Sequence, residues 1–460
     1  MIHLNVSRIR MSPGRIIPVS FLATILIGAV LLMLPLSSAD GSATDFLTAL
    51  FTATTSVCVT GLVVVDTYAH WSFFGQIVIL VLIQVGGLGV VAVGSMIMML
   101  RRKKFNLGNR MLLGDALNVD RSQEVMNLLI RIFRGVLIVE GIGALLCMIT
   151  LIPLLGVEKG IWASIFQSVS AFCNAGMDVI GPDSMIGFNA SPLVMVVTMA
   201  LIVLGGLGFV VWFDLMDGIK KGIRQHRHLP GVFKHLPEHS KVVLLVTGVL
   251  LLSGAVAVFA AEYNNPDTIG NMSLGGKILN SFFQSVTFRT AGFATIPQEK
   301  MTELSCVAGY ILMFIGGSPV GTAGGIKTVT IFLFFMNAIS YVTGRKENVV
   351  FNRRVPEEVM RKAAAIVCIS LVTVVAATVF LMSFDRLALT NALFEVISAL
   401  GTVGLSRGVT PNLDSAGRII IIVSMYLGRI GPISMAIFFA KGSGAATNMI
   451  KHADGRFYVG

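Results

Sequence analysis

One short phrase recurs four times in this chain and ends each time in a glycine. The copies read FTATTSVCVTGL, FQSVSAFCNAGM, FQSVTFRTAGF and FEVISALGTVGL, and their closing glycines Gly61, Gly176, Gly292 and Gly404 recur every 112 to 116 residues. A repeat of this length predicts four similar units around one axis. Because glycine has no Cβ, one glycine per unit would let four backbone segments approach that axis closely.

Four such segments could coordinate a monovalent cation. Rings of backbone carbonyls replace a cation's hydration shell without adding net charge, so binding is adequate and release stays fast. Repeat three has one residue fewer between its phenylalanine and its glycine, so the register of its ligands stays open. The candidate ion-binding residues are Val59, Thr60, Gly61, Asn174, Ala175, Gly176, Thr290, Ala291, Gly292, Thr402, Val403 and Gly404.

The composition predicts a membrane protein. The chain is 55% hydrophobic and only 13% charged, with a mean hydropathy of +0.83, whereas soluble domains carry about 25% charged residues. Several stretches are long and apolar enough to span a bilayer, Ile16 to Leu36 among them. The five cysteines are scattered without metal-site or redox spacing and are interpreted as small apolar fillers.

The positive charge reports topology and does not indicate a nucleic-acid partner. The net charge is +11, and 26 of the 35 Lys and Arg residues fall within 1–20, 101–134, 214–241, 344–362 and 441–460. These patches flank the predicted spans at every second crossing. That bias follows the positive-inside rule and predicts that both termini are cytoplasmic.

Each repeat combines the same four parts: a spanning helix, a short apolar helix, the glycine phrase and a second spanning helix. About 12 helical residues cover roughly 18 Å, too little for a hydrocarbon core of about 30 Å, so each short helix is expected to re-enter. The C-terminal partial charges of these helices would face the axis and favour a cation. The predicted fold is an all-α polytopic membrane protein with eight transmembrane helices and four half-helices around a pseudo-fourfold pore.

The predicted boundaries follow from this order of parts. Repeats one to four span 16–100, 126–217, 240–341 and 360–440, separated by cytoplasmic loops 101–125, 218–239 and 342–359, with cytoplasmic termini at 1–15 and 441–460.

Glycines also mark the second spans. In repeats one and two the LIQVGGLGVV and LIVLGGLGFV segments favour close packing of helices through small residues. In repeat three, the segment GGSPVGTAGGIKT contains several glycines and a proline, so a helical conformation there would cost considerable free energy. This predicts a broken span with a gating loop at 316–325, whose candidate gate residues are Gly316, Gly317, Ser318, Gly321, Thr322, Gly324 and Gly325.

Three positively charged side chains are expected within the depth of the membrane. Arg429, within GRIGP of repeat four, would be an electrostatic barrier in a cation pathway and could pair with loop carbonyls; a structural ion pair or a side chain extending to the membrane surface are the alternatives. Arg289 is expected to brace its loop against Glu395 or another acid. Lys327 is expected to extend to the inner surface.

An enzyme is not expected. The sequence has no Ser/His/Asp set, HExxH motif or paired carboxylates at a plausible site. GTAGGIKT resembles a phosphate-binding loop, but Ile326 separates the glycine from Lys327 and no strand precedes it. His226, His228, His235 and His239 favour a solvated loop or a partner contact over a metal site.

The four phrases, the GGSPVGTAGGIKT segment and the GRIGP arginine resemble the Trk/Ktr/HKT superfamily of potassium transporters over residues 16–445. The single span before the first half-helix is similar to the KtrB-type membrane subunit. The resemblance implies that the four closing glycines form a selectivity filter, that 316–325 is a gating loop inside the membrane, and that Arg429 obstructs the pore. Gly61 argues for potassium, because plant relatives that transport sodium carry a serine there.

The resemblance also implies the partners and the location. It implies a homodimer in a bacterial plasma membrane, bound to a cytosolic RCK-type nucleotide-binding ring that opens the gate. K⁺ would be the substrate, with stimulation by Na⁺, and no cofactor would be covalently bound; nucleotide would act only through the partner subunit. A Na⁺-permeable or poorly selective cation transporter of the same architecture remains the alternative.

Overall fold

The computed structural model describes residues 13–100, 125–181, 183–224, 229–345 and 347–431. Several sequence predictions lie outside these residues: most of the expected N-terminus 1–15, almost all of loop 101–125, the end of repeat four beyond 431, the C-terminus 441–460, and His226 and His228.

Helices dominate the described residues. In chain order they are α1 (Pro13–Leu32), α2 (Phe46–Cys58), α3 (Thr67–His70), α4 (Phe73–Leu88), α5 (Val90–Leu100), α6 (Val125–Leu155), α7 (Val157–Cys173), α8 (Pro192–Leu207), α9 (Phe209–Arg224), α10 (Leu229–Lys234), α11 (Glu238–Glu262), α12 (Leu274–Phe288), α13 (Glu303–Phe314), α14 (Thr328–Val342), α15 (Glu357–Asp385), α16 (Leu389–Gly401) and α17 (Ser415–Ile430). Strands β1 (Val349–Val350) and β2 (Arg353–Arg354) form a short antiparallel hairpin.

Four of the described helices are long and apolar enough to cross a bilayer by themselves, and up to six spans result if each bent helix pair is counted as one. The four are α1, α6, α11 and α15, and about a third or less of each apolar window is buried. Apolar side chains that remain exposed along such helices are expected where the surrounding solvent is lipid.

Four shorter helices, α2, α7, α12 and α16, each follow one of these long helices. They contain 13, 17, 15 and 13 residues, and most of their side chains are buried. Two begin at side-chain caps: Asp45 accepts the backbone N–H groups of Leu47 and Thr48, and Ser273 accepts that of Gly276. At about 1.5 Å per residue, the 13-residue helices are only about 20 Å long and end well inside the fold.

The second helix is interrupted at glycine in repeats one, two and three. Between α4 and α5 the axis bends by 101°, and between α8 and α9 it bends by 100°. The sequence predicts a break only in repeat three, where residues 315–327 separate α13 from α14. The additional breaks arise because Gly89 and Gly208 adopt φ values of +90° and +88°, which interrupt a helix and which glycine adopts without strain.

Glycines of the second helices pack against the ends of the short helices. A methyl group added at Gly86, Gly205 or Gly428 would overlap a backbone carbonyl, that of Val57, Phe172 or Leu400 respectively. Each of those carbonyls belongs to the residue before the last one of α2, α7 or α16. The prediction that the glycines of the first two repeats serve close helix packing is therefore confirmed for Gly86 and Gly205, whereas Gly89 and Gly208 break the helix instead.

Gly86→Ala should destabilise the protein, because the carbonyl of Val57 cannot move away from the new methyl group as a flexible side chain could. Overpacking of this kind costs about 1–3 kcal/mol. Gly248→Ala is the matched control, since Gly248 lies in α11 with no atom within 4 Å of the added methyl. Thermal unfolding of the purified protein followed by intrinsic fluorescence should show a lower Tm for the first variant alone; equal Tm values would contradict the packing assignment.

Candidate functional site

The four short helices lead into backbone of the same unusual conformation. Val59, Asn174, Thr290 and Thr402 adopt left-handed conformations, with φ between 51° and 63°. The closing glycine follows two residues later and also has a positive φ, from 65° to 101°. In repeat three α12 ends at Phe288 and Arg289 stands between it and Thr290, whereas in the other repeats the left-handed residue follows the helix directly. The register left open by the sequence is thus the same in all four repeats.

Three of these left-handed residues, Val59, Thr290 and Thr402, are β-branched. A β-branched residue with φ above zero is a genuine outlier, and such a conformation costs about 1–3 kcal/mol unless the surroundings enforce it. Hydroxyl groups of the short helices supply part of that restraint: Thr55 Oγ1 accepts the N–H of Gly61 at 2.9 Å, and Ser398 Oγ accepts that of Gly404 at 3.1 Å. Backbone strain of this kind is typical of functional sites.

The four closing glycines meet in a closed ring, which we call the glycine ring. Each glycine abuts the residue that precedes the glycine of the next repeat, and the fourth abuts the first. An added Cβ would lie 2.6 Å from the Ala175 oxygen at Gly61, 2.6 Å from the Ala291 oxygen at Gly176 and 2.5 Å from the Val403 oxygen at Gly292, and it would overlap the Thr60 oxygen at Gly404. No larger residue fits without moving a neighbouring segment.

Buried polar atoms around the glycine ring lack protein partners. Thr60, Thr290 and Thr402 are fully buried, yet none of their hydroxyl oxygens has a hydrogen-bond partner, and neither does the side-chain nitrogen of Asn174. Buried polar groups in proteins are normally satisfied. Two of these side chains lie against surrounding glycines: the Thr402 hydroxyl is beside Gly324, and the Asn174 amide is beside Gly205 and Gly206.

A cavity of about 290 Å³ adjoins the ring on the side of the residues that follow the glycines. All four ring glycines line it, together with Asp66 and Asp178. Asp178 accepts a hydrogen bond from the Ser184 hydroxyl at 2.7 Å. Two carboxylates beside one cavity attract cations. The sequence analysis missed both residues, although each follows a closing glycine by no more than five positions.

On the other side of the ring lies the connecting loop, residues 315–327, which contains the expected gating loop 316–325. The N–H of Gly316 donates to the Ile326 oxygen at 2.9 Å, so the loop closes on itself. Thr322 attaches it to the end of α7, because its single hydroxyl hydrogen is shared between the Phe172 oxygen at 3.0 Å and Asn174 Oδ1 at 3.1 Å. The loop therefore contacts residues that immediately precede the ring.

Arg429 joins the connecting loop to the break in the second helix of the first repeat. Its guanidinium donates to the carbonyl oxygens of Thr322, Gly86 and Gly87. Among the described residues it forms no ion pair, because the salt bridges lie elsewhere. The expectation that Arg429 pairs with loop carbonyls is confirmed, and the alternatives of a structural ion pair or an extension to the surface do not hold.

The other two positively charged side chains that are expected at membrane depth also donate to carbonyl oxygens. Arg289 Nη2 donates to the Gly316 oxygen at 2.9 Å. The expected pairing with Glu395 is wrong, since Glu395 accepts instead from Ser406 at 2.9 Å and from Thr410. Lys327 Nζ donates to the Ala323 oxygen at 2.7 Å, so its expected extension to the inner surface is wrong as well. Three positive side chains thus hold one loop through its backbone.

The chain is similar to known membrane transport proteins over nearly its full length. The family model "TrkH: Cation transport protein" matches residues 9–448. Ktr system potassium uptake protein B of Bacillus subtilis is 38% identical over 98% of both chains. Potassium/sodium uptake protein NtpJ of Enterococcus hirae is 37% identical over 92% of both chains.

The fold is similar to a crystal structure, that of the potassium transporter TrkH from Vibrio parahaemolyticus. The TM-score is 0.71 and the sequences are 17% identical, over 94% of this chain and 86% of the other. At 17% sequence identity, this structural similarity establishes the fold alone.

Arg429→Gln should loosen the connecting loop, because hydrogen bonds from a charged group contribute about 1.5–3 kcal/mol each. We expect hydrogen–deuterium exchange in peptides covering 316–325 to rise by about tenfold or more. Arg418→Gln is the control on the same helix, since Arg418 donates to the Leu413 oxygen at 3.0 Å, away from the loop. Unchanged exchange in 316–325 for the Arg429 variant would show that the guanidinium does not restrain the loop.

Proposed function

The chain belongs to the TrkH family of cation transport proteins, and we propose that it is the pore-forming subunit of a potassium uptake system in a bacterial plasma membrane. The observation that carries this proposal is the convergence of four glycines from distant parts of the chain on one ring. Of two relatives at 37–38% identity, one is named a potassium uptake protein and the other a potassium/sodium uptake protein.

The chemistry of the ring suits a monovalent cation. The candidate ligands are the backbone carbonyls of Val59, Thr60, Gly61, Asn174, Ala175, Gly176, Thr290, Ala291, Gly292, Thr402, Val403 and Gly404. Carbonyl oxygens replace water around K⁺ without the tight binding that a carboxylate cage would impose. The C-terminal ends of α2, α7, α12 and α16 lead into the ring, and their partial negative charges add to its attraction for a cation.

The connecting loop and Arg429 would form the gate. The loop lies next to the residues that precede the ring, and a guanidinium attached to it opposes a cation by its charge. In this proposal the loop and Arg429 move aside when a cytosolic RCK-type ring binds its nucleotide. The protein would function as a homodimer with one pore per protomer, with both termini cytoplasmic, and with stimulation by Na⁺.

Membrane potential would drive the uptake. An inside-negative potential of 100 mV contributes about 2.3 kcal/mol per elementary charge moved. This is enough to accumulate K⁺ without an ATP-hydrolysing site in the chain.

Sodium permeability is the alternative function, and one relative favours it. NtpJ of Enterococcus hirae, 37% identical, is named a potassium/sodium uptake protein. The two functions are separated by flux into liposomes that contain the purified protein, with K⁺ and Na⁺ in competition. Potassium uptake that excess Na⁺ does not inhibit supports the proposal; equal fluxes of the two ions would replace it with the alternative.

Gly292→Ser should weaken the preference for potassium, because its side chain would intrude on the Val403 carbonyl and on the neighbouring glycines of the ring. We expect the K⁺/Na⁺ permeability ratio to fall by about tenfold, equivalent to about 1.4 kcal/mol. Gly275→Ser makes the same change in the first turn of α12, where nothing lies within 4 Å of the added atom. A Gly292 variant with unaltered selectivity would argue against the ring as the filter.

Deletion of residues 318–323 should raise K⁺ flux several-fold and weaken control by a cytosolic partner, because it removes the part of the loop that Arg429 and Gly205 hold. Thr322→Val is a milder companion that loses only the hydroxyl bonds to Phe172 and Asn174, and a smaller rise is expected. Flux is measured in liposomes with and without an RCK ring. If the folded deletion variant conducts no faster, the loop is not the gate.

A further inference from the structure

Helix α9 turns sharply away from the spanning helix that precedes it. α8 has 16 residues and is therefore about 24 Å long, some 6 Å short of a hydrocarbon core of about 30 Å. The axis then bends by 100° at Gly208. α9 therefore runs roughly perpendicular to α8, the orientation relative to a spanning helix in which amphipathic helices lie in a bilayer surface.

The elbow between α8 and α9 is held by a tryptophan. Trp212 Nε1 donates to the Leu204 oxygen at 2.9 Å, so the indole spans the bend. Its ring packs edge-on against Phe172 and Phe209, with centroids 5.5 Å and 5.7 Å apart. The orientation of α9 is therefore built into the fold.

The outward surface of α9 combines apolar and basic side chains. Met216, Ile219 and Ile223 are 49%, 44% and 71% exposed, and their spacing of three and four residues places them on one face. Lys220, Lys221 and Arg224 are exposed beside them, against one exposed acid, Asp217. The other acid of the helix, Asp214, accepts a hydrogen bond from Ser240 at 2.5 Å and is occupied within the protein.

From this geometry we propose that α9 is a binding surface for the anionic lipid headgroups of the inner leaflet. The apolar stripe enters the acyl boundary while the three basic side chains meet the headgroups, because an in-plane helix with flanking lysine and arginine is attracted to anionic lipid. This lipid surface is separate from the glycine ring, and the proposed transport function does not by itself predict it.

The lipid surface adjoins the connecting loop. The N–H of Phe209, the first residue of α9, donates to the Val320 oxygen at 2.9 Å, and the N–H of Ser318 donates to the Gly206 oxygen at 2.9 Å. A lipid that holds α9 in place therefore also restrains the connecting loop, through these two hydrogen bonds. This consequence for gating rests on the proposed function, whereas the lipid surface does not.

Quenching of tryptophan fluorescence tests the surface directly. Trp71→Phe and Trp162→Phe leave Trp212, on α9, as the sole tryptophan. The protein is placed in mixed phosphatidylcholine and phosphatidylglycerol vesicles in which one lipid or the other is brominated. We expect brominated phosphatidylglycerol to quench Trp212 about twofold more than brominated phosphatidylcholine, with the difference lost in Lys220→Gln/Lys221→Gln/Arg224→Gln.

The matched control removes the same charge from another element. Arg353→Gln/Arg354→Gln/Arg361→Gln alters three exposed arginines of the hairpin and of α15, and the preference for phosphatidylglycerol should survive. Equal quenching by both lipids in the chain with an intact α9 overturns the proposal. So does equal loss of preference in both triple variants, which would indicate a general effect of net charge.

A second measurement does not depend on the tryptophan substitutions. Mass spectrometry of lipids that co-purify with the otherwise unaltered chain should show less phosphatidylglycerol for the α9 triple variant than for the control variant, and equal amounts contradict the proposal. Potassium flux in the same vesicles separates the two hypotheses. Normal flux without lipid preference refutes the lipid surface alone, while lipid preference without any cation flux counts against the transport function alone.

Discussion

The close approach of four backbone segments at the glycine ring is the constraint on which the rest of the structure depends. Each glycine abuts a carbonyl of the next repeat, so any side chain at one position would displace its neighbour. The left-handed residues two positions earlier direct the chain into the ring. The short helices must end at a common depth for this to occur. In repeats one, two and four, glycines of the second helices allow this by packing directly against the carbonyl of the second-to-last residue of each short helix.

A second requirement follows from placing irregular backbone beside such a ring. Non-helical backbone at membrane depth is tolerated only where protein or water satisfies its polar groups. The connecting loop meets this requirement from both directions. Its N–H groups donate to carbonyls exposed at the end of α8, and its carbonyls accept from Arg289, Lys327 and Arg429. The positive charges thus serve the loop's backbone, which is why none of the three needs a carboxylate partner.

The local features were the predictable ones. The phrase repeats, the four short helices, the break in repeat three and the packing role of the first glycine clusters all depend on residue type and spacing. Side-chain partners were less predictable: the sequence suggests Glu395 or another acid for Arg289 and the inner surface for Lys327, whereas both side chains bind carbonyls of the connecting loop. The bends at Gly89 and Gly208 are not predicted, because a cluster of glycines in an apolar run is compatible with either a closely packed straight helix or a broken one.

The sequence by itself determined that four equivalent glycines exist, that short helices precede them and that the chain is a membrane protein, because these are matters of periodicity and composition. Only the tertiary structure decided that the glycines close one ring, that its register is the same in repeat three, and which carbonyls Arg429 binds. Those contacts join residues more than 100 positions apart. The sequence alone does not select among the many carbonyl oxygens that a long, flexible arginine side chain could bind. Only the packing of the repeats against one another determines which of them lie next to Arg429.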